Sequence, residues 1–188
     1  LFVAGQNKEG DQQSAVLVHP PGAPYAEVFM PALANALTSN TLDLQVVVGH
    51  VNPNRVALLQ KLATVYPQLT LISSNPGAKL LKELWTQRKP TAPGDNIQIT
   101  PPILPLPEIQ IIRHEHVLQL SNNHELRLIP AATARWPGGL MAFEESLGLL
   151  MSDKLFAAHL CTSDWAESNR NQSEEERRHF YDCLMAPM

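Results

Sequence analysis

Two cysteines, Cys161 and Cys183, are too few for a disulfide framework in a chain of 188 residues, so a reducing cytoplasm is the simpler setting. No apolar run approaches the length of a membrane-spanning helix; the longest are short stretches such as Ala15–Val18 and the valines up to Gly49. No polybasic cluster is present and the net charge is −4, which argues against nucleic acid as the main partner. There is no G-x-S-x-G elbow, and neither cysteine has an activating neighbour in sequence. The glycine spacing of a phosphate loop or a dinucleotide fingerprint is also missing. No histidine-rich zinc motif with a neighbouring carboxylate, of the kind a metallohydrolase needs, is present.

What is present is a globular composition, 44% hydrophobic and 17% charged, enough for one well-cored domain over residues 1–188. "LFVAGQ" begins as if within a strand and "CLMAPM" stops just after an apparent helix, so the expectation is a domain truncated at both ends. Six of the 16 prolines fall in residues 90–107, which excludes a helix interior or central strand and predicts a surface loop.

The first half alternates between strand and helix patterns. "SAVLVHP", "LDLQVVVG" and "LTLISS" read as strands. "PYAEVFMPALANAL" has helical apolar spacing, with Tyr25, Val28, Phe29, Leu33 and Leu37 falling on one face. "NRVALLQKLATVYP" reads as a second helix. "NPGAKLLKELWTQR" reads as a third, with Asn75 as N-cap and Pro76 at its first position. This order implies parallel strands with helical crossovers. Beyond the proline-rich stretch the period becomes 2 in "IQIIRHEHVLQLS", "HELRLIPA", "LMAFEES" and "GLLMSDKLF", which predicts antiparallel strands. "SEEERRHFYDCLM" carries a capping box, Ser173 with Glu176, and predicts a final helix. The fold class is therefore α/β, a layered sandwich with a mixed sheet.

Several candidate sites are weak. His114 and His116 share a strand face, but two imidazoles are not a metal site and no third donor is placed. His19, His124, His159 and His179 are isolated and read as hydrogen-bonded structural residues. The helix start at "SSNPGAKL", with Lys79, could hold an anion but lacks the glycine pattern for one. The strongest candidate is the strand-to-helix turn "GHVNPNRV", because such turns lie at the open carboxyl ends of strands.

Taken together, "HPPGAPYAEVFMPAL", "GHVNPNRV", "SNPGAK", "RLIPAATARWPGGLMAF", "SDKLFAAHLC" and "RRHFYDCLMAP" resemble the metallo-β-lactamase-like domain of flavodiiron proteins, in particular the cyanobacterial diflavin flavoproteins. The resemblance covers nearly the whole chain except the proline-rich stretch. It implies an αββα sandwich with a non-haem diiron site at the sheet edge. It also implies reduction of dioxygen to water, or of nitric oxide to nitrous oxide. Electrons would come from FMN on a flavodoxin-like domain, supplied from NAD(P)H by a flavin-reductase-like domain, neither of which lies in this chain. The family forms head-to-tail dimers, so the implied partner is a second copy or a paralogue in a hetero-oligomer.

The family's ligand motif is H-x-E-x-D-H. Here it reads His50, Asn52, Asn54 and Arg55, so only the first histidine is kept. The next family histidine falls at Arg135, before Trp136 and Pro137. The family's spacing from there puts the bridging aspartate at Lys154, next to Asp153. The last histidine would lie beyond Met188. Asparagines replace carboxylates poorly, and arginine offers no lone pair. A like-charge pair at 4 Å costs roughly 4 kcal/mol at an effective dielectric of about 20, so cations at Arg55, Arg135 and Lys154 would repel metal. The expectation is no metal at this site. The basic pocket of Arg55, Arg135 and Lys154 would instead be filled by salt bridges to Asp153, Glu144 or Glu145, by water, or by an anion. A non-catalytic structural or regulatory subunit is the alternative reading.

Overall fold

The computed structural model describes residues 2–3, 14–37, 43–87, 104–121 and 124–155, with two helical positions at 178 and 182. Five strands form the first sheet: β1 (Phe2–Val3), β2 (Ser14–Val18), β3 (Asp43–Val48), β4 (Thr70–Ser74) and β5 (Ile109–Ile112), in that spatial order. β1 runs antiparallel to β2, and β2 to β5 are parallel. The crossovers are α1 (Ala26–Ala36), α2 (Pro53–Val65) and α3 (Asn75–Thr86). A second sheet is an antiparallel meander of β6 (His116–Ser121), β7 (His124–Pro130), β8 (Leu140–Glu144) and β9 (Leu149–Met151).

The period-2 alternation of the parallel strands explains the layering, since successive side chains serve opposite faces. Ala15, Leu17, Leu44, Val46, Val48 and Leu71 point to the helices and pack on Leu33, Val56, Leu59, Leu62, Leu81 and Trp85. Their neighbours Val16, Val47 and Ile72, with Ile112, point the other way and meet Leu126, Leu128, Leu140 and Ala142 of the second sheet. Helices, first sheet and second sheet are thus three stacked layers with two cores. The final helix expected over 173–185 falls outside the described residues apart from its two isolated helical positions.

Several expectations need correction. Tyr25 and Val28 are exposed, at 66% and 78%. The chain first makes a 3-10 turn over Ala23–Tyr25, so Tyr25 precedes α1, and the inward face is set by Ala26, Leu33 and Leu37. The α3 cap is Ser74, whose Oγ accepts from Gly77 N–H at 3.3 Å; Asn75 is already the first helical residue. "IQIIRHEHVLQLS" is two strands, because the chain breaks between Ile112 and His116 and changes sheet. His114 therefore leaves the strand face it was expected to share with His116. The strand expected in "GLLMSDKLF" is confined to Leu149–Met151. Of the proline-rich stretch, residues 90–103 lie outside the described residues. Its end is anchored: Leu104 and Leu106 pack on the helical core, and Trp85 Nε1 donates to the Leu104 carbonyl at 3.0 Å.

No helix among the described residues is long and apolar enough to cross a membrane. Leu59→Ala, at a fully buried position under the first sheet, is expected to cost about 3 kcal/mol in chemical denaturation. Val28→Ser is expected to stay within about 0.5 kcal/mol of wild type, which checks the outward placement of that face.

Candidate functional site

Parallel strands β2, β3 and β4 deliver their carboxyl ends to one edge, and the second sheet folds over it. β3 ends at Val48, and the next residues, Gly49 and His50, turn the chain into α2. Gly49 is required by close approach: a Cβ there would sit 2.6 Å from the Leu140 carbonyl oxygen. Asn52 is the N-cap of α2, its Oδ1 accepting from Arg55 N–H at 2.9 Å, and Pro53 follows as the first helical residue. Asparagine is among the best capping residues and a proline fits the first turn, so this turn is well formed by its own chemistry.

The centre of the site is an ion pair. Arg55 is only 8% exposed. Its Nη1 donates to Asp153 Oδ2 at 2.7 Å and to the His50 carbonyl at 2.7 Å, and Nη2 donates to Asp153 Oδ1 at 3.3 Å. His50 N–H donates to the same Oδ2 at 2.8 Å. Arg55 Nε is buried with no partner among the described residues. Asp153 follows β9 in a left-handed conformation, φ 56°, which aspartate tolerates better than most residues.

His19, just after β2, is the third member. It too is left-handed, φ 51°. Its Nδ1 accepts from Gly49 N–H at 3.3 Å, so the other nitrogen, Nε2, carries the proton and donates to the Met151 carbonyl at 3.3 Å. His19 Nδ1 lies 3.7 Å from Asp153 Oδ2. His19 and Asp153 thus both tie the edge of the first sheet to β9 of the second.

Electrostatics follow from this packing. Burial pushes the His19 pKa down, the Asp153 charge opposes that, and the Arg55 charge adds to it. Burial and then Arg55 lower the His50 pKa, against the pull of Asp153, with Lys154 adding a smaller push. For Asp153, burial would raise the pKa. The hydrogen bonds and charge of Arg55, with help from His19 and His50 N–H, outweigh burial and hold it below the usual carboxylate range.

The expected site residues divide. His50, Asn52, Asn54 and Arg55 lie on one turn. Asn52, Asn54, Arg55 and Lys154 line an open depression of about 450 Å³ with Pro21, Pro24 and Tyr25. His50 lies behind, its ring edge-on to Trp136 at 6.2 Å. Arg135 does not line the depression: it is exposed and rides over the Trp136 ring at 5.9 Å. Asp153, one position before the residue reached by the family's spacing, turns its carboxylate into the site. Glu144 is buried elsewhere, accepting from Ser146 Oγ and Leu147 N–H in the β8–β9 turn, and Glu145 pairs with Arg127 on the surface. The α3 N-terminus is closed rather than open to an anion, since Ser74 Oγ donates to the Gly138 carbonyl at 2.9 Å and Gly77 is buried. Among the described residues, no three His, Cys, Asp or Glu side chains are grouped to hold a metal ion. Sequence reasoning set His19 aside as isolated; its position at the end of a strand parallel to β3 was the available signal.

No protein-family model matches the chain. It is 35% identical over 174 residues to diflavin flavoprotein A 4 of Nostoc sp., covering 91% of this chain and 27% of that protein. It is 34% identical over 171 residues to diflavin flavoprotein A 3 of Synechocystis sp., again covering 91% of this chain and 26% of the relative. Among solved structures, the metal-soaked Flv1 flavodiiron core from Synechocystis superposes with a TM-score of 0.74 at 33% identity, over 94% of this chain and 39% of that one. The fold is the metallo-β-lactamase-like core of a flavodiiron protein. The chain belongs to the flavodiiron family of oxidoreductases, on the diflavin flavoprotein branch, and spans about a quarter of the length of the curated relatives it matches.

Asp153 has a folded-state pKa below its unfolded value of about 3.9. Its contribution to stability is therefore fully present above about pH 4 and is lost as pH falls through the lower, folded value. Asp153→Asn is expected to lower stability by about 3 kcal/mol at neutral pH, because it strands a buried guanidinium, and to flatten the acid limb of the stability curve. Denaturant titrations from pH 3 to 7 check both effects.

Proposed function

We propose that this chain is the core domain of a diflavin flavodiiron-type oxidoreductase that serves oxygen reduction without a diiron centre of its own. In the full-length protein, NAD(P)H would deliver electrons to FMN on other domains. The reducing equivalents would then reach dioxygen at the intact centre of a paralogue, in a head-to-tail hetero-oligomer. The reading at the level of family rests on the relatives; the reading of this site rests on Arg55.

The residues present do not fit a diiron pair. Iron in such a site needs anionic oxygen and neutral nitrogen donors. Asn52 spends its oxygen on the α2 cap. Asp153 is already neutralised by a guanidinium 2.7 Å away, and Arg55 cannot give up its proton or offer a lone pair. Lys154 adds a second positive charge at the depression. The single observation that carries the proposal is that a buried cation holds the carboxylate a metal would need.

The second reading, a non-catalytic structural or regulatory subunit with an anion at the depression, is favoured by the same Arg55 and Lys154 pair. Steady-state oxygen consumption separates the two. The full-length protein with NADH or NADPH is expected to consume little oxygen alone, to carry close to no iron per chain, and to raise the turnover of an iron-loaded paralogue when mixed with it. An unchanged paralogue rate would favour the subunit reading. A stoichiometric iron content with activity in the protein alone would refute both.

A further inference from the structure

The outward side of α1 differs from that of its neighbours. Exposed positions on α2 and α3 carry Lys61, Lys79, Lys82 and Glu83, whereas residues 20–37 contain one charged residue, Glu27. Contact with the core is made by Ala26, Leu33 and Leu37. Tyr25, on the preceding 3-10 turn, and Val28, Ala32 and Asn35 of the helix are all exposed, Val28 at 78%. At roughly 100° per residue these four fall within about 80° of one another, a continuous stripe with Glu27 outside it. A solvent-facing stripe would be expected to carry charge, and a helix that is apolar on both sides is one that is covered on both sides.

We infer that this stripe is a self-association surface, on which α1 of one copy packs antiparallel against α1 of a second copy. The stripe is complementary to itself in size. Its first half carries the large Tyr25 and Val28, and its second half the small Ala32 and Asn35. Turned end for end about a twofold axis level with Met30, Val28 of each copy meets Ala32 of the other, and Tyr25 meets Asn35. Each large side chain then faces a small one, and the Tyr25 hydroxyl faces the Asn35 amide, its hydrogen-bonding complement. Charge favours the same occupant. Two copies of a chain with net charge −4 repel, and their approach is least opposed where neither brings a charge to the contact. A strongly charged partner would find only Glu27 to pair with. The stripe is about 15 Å long, too small for the roughly 800 Å² per partner of a standard interface, so the pairing is reversible and depends on concentration. Tyr25 also lines the depression beside Arg55 and Lys154, so the contact reaches the rim of that depression. The inference does not depend on whether the Arg55 site holds metal.

Disulfide trapping tests it in the full-length protein. Val28→Cys and Ala32→Cys are oxidised separately and as an equimolar mixture, and inter-chain disulfide is read on a gel without reductant. Antiparallel pairing sets position 28 level with position 32 of the other copy, within disulfide reach, while like positions stand about 6 Å apart along the axis. The mixture is expected to cross-link several-fold more than either variant alone. Sedimentation velocity over a range of concentrations is the second readout. Val28→Lys lies at an exposed position and is expected to keep its melting temperature, yet to weaken self-association at least about tenfold, because it carries an unpaired charge into an apolar contact. A mixture that cross-links no better than the single variants, or a folded Val28→Lys that associates as wild type does, overturns the inference. Neither result bears on iron content, so the proposed function stands or falls separately.

Discussion

The carboxylate of Asp153 is the constraint on which this edge of the molecule depends. Its side chain is only 10% exposed, and a carboxylate so far out of water must either find a cation and hydrogen bonds or lose its charge. Here it finds Arg55 from α2, the His50 N–H from the end of β3 and the neighbourhood of His19 from the end of β2. Those contacts come from three segments of the first sheet's edge, whereas Asp153 itself belongs to the second sheet's trailing loop. The ion pair therefore joins the two sheets where their apolar cores end. Under the proposed function, Arg55 joins the two sheets with a covalently attached cation where a bound metal would otherwise do so.

Backbone strain is concentrated at the same place. His19 and Asp153 are the two non-glycine residues with positive φ among the described residues. Such conformations cost on the order of 1–3 kcal/mol each and persist where the surroundings over-determine them. Both residues are fixed at several points: His19 through each ring nitrogen, and Asp153 through both oxygens. The missing side chain at Gly49 completes the arrangement, letting the Leu140 carbonyl and the His19 ring approach the turn.

Much of the fold was legible in the sequence because its periodicities are clean. Alternating runs such as "LDLQVVVG" and the helical spacing of "NRVALLQKLATVYP" could only satisfy one sheet-and-crossover pattern. The failures have local physical causes. Around α1, prolines at 24 and 31 and a preceding 3-10 turn rotated the buried face away from Tyr25 and Val28. At 113–115 the chain changes sheets, which a continuous period-2 pattern cannot reveal. In the site, the turn bearing His50, Asn52, Asn54 and Arg55 could be picked out from motif order. That Asp153 pairs with Arg55 while Lys154 also lines the site could not, because the chain is left-handed at Asp153, which spacing alone does not reveal. Arg135 was expected inside but found a better surface in the face of Trp136. His19 was read as a hydrogen-bonded structural residue, and both ring nitrogens are hydrogen-bonded; its place beside the turn comes from sheet order, which brings it to Gly49 from thirty residues away.

The central claim is that a guanidinium occupies the place and charge of a metal in this flavodiiron core. The most direct measurement is an anomalous diffraction experiment on crystals of the domain grown with excess ferrous iron, with data collected on both sides of the iron absorption edge. The account predicts no iron peak near His50 and Asp153, with Arg55 within hydrogen-bonding distance of both Asp153 oxygens. An iron peak in that position, with the Arg55 side chain swung out into the depression, would contradict it.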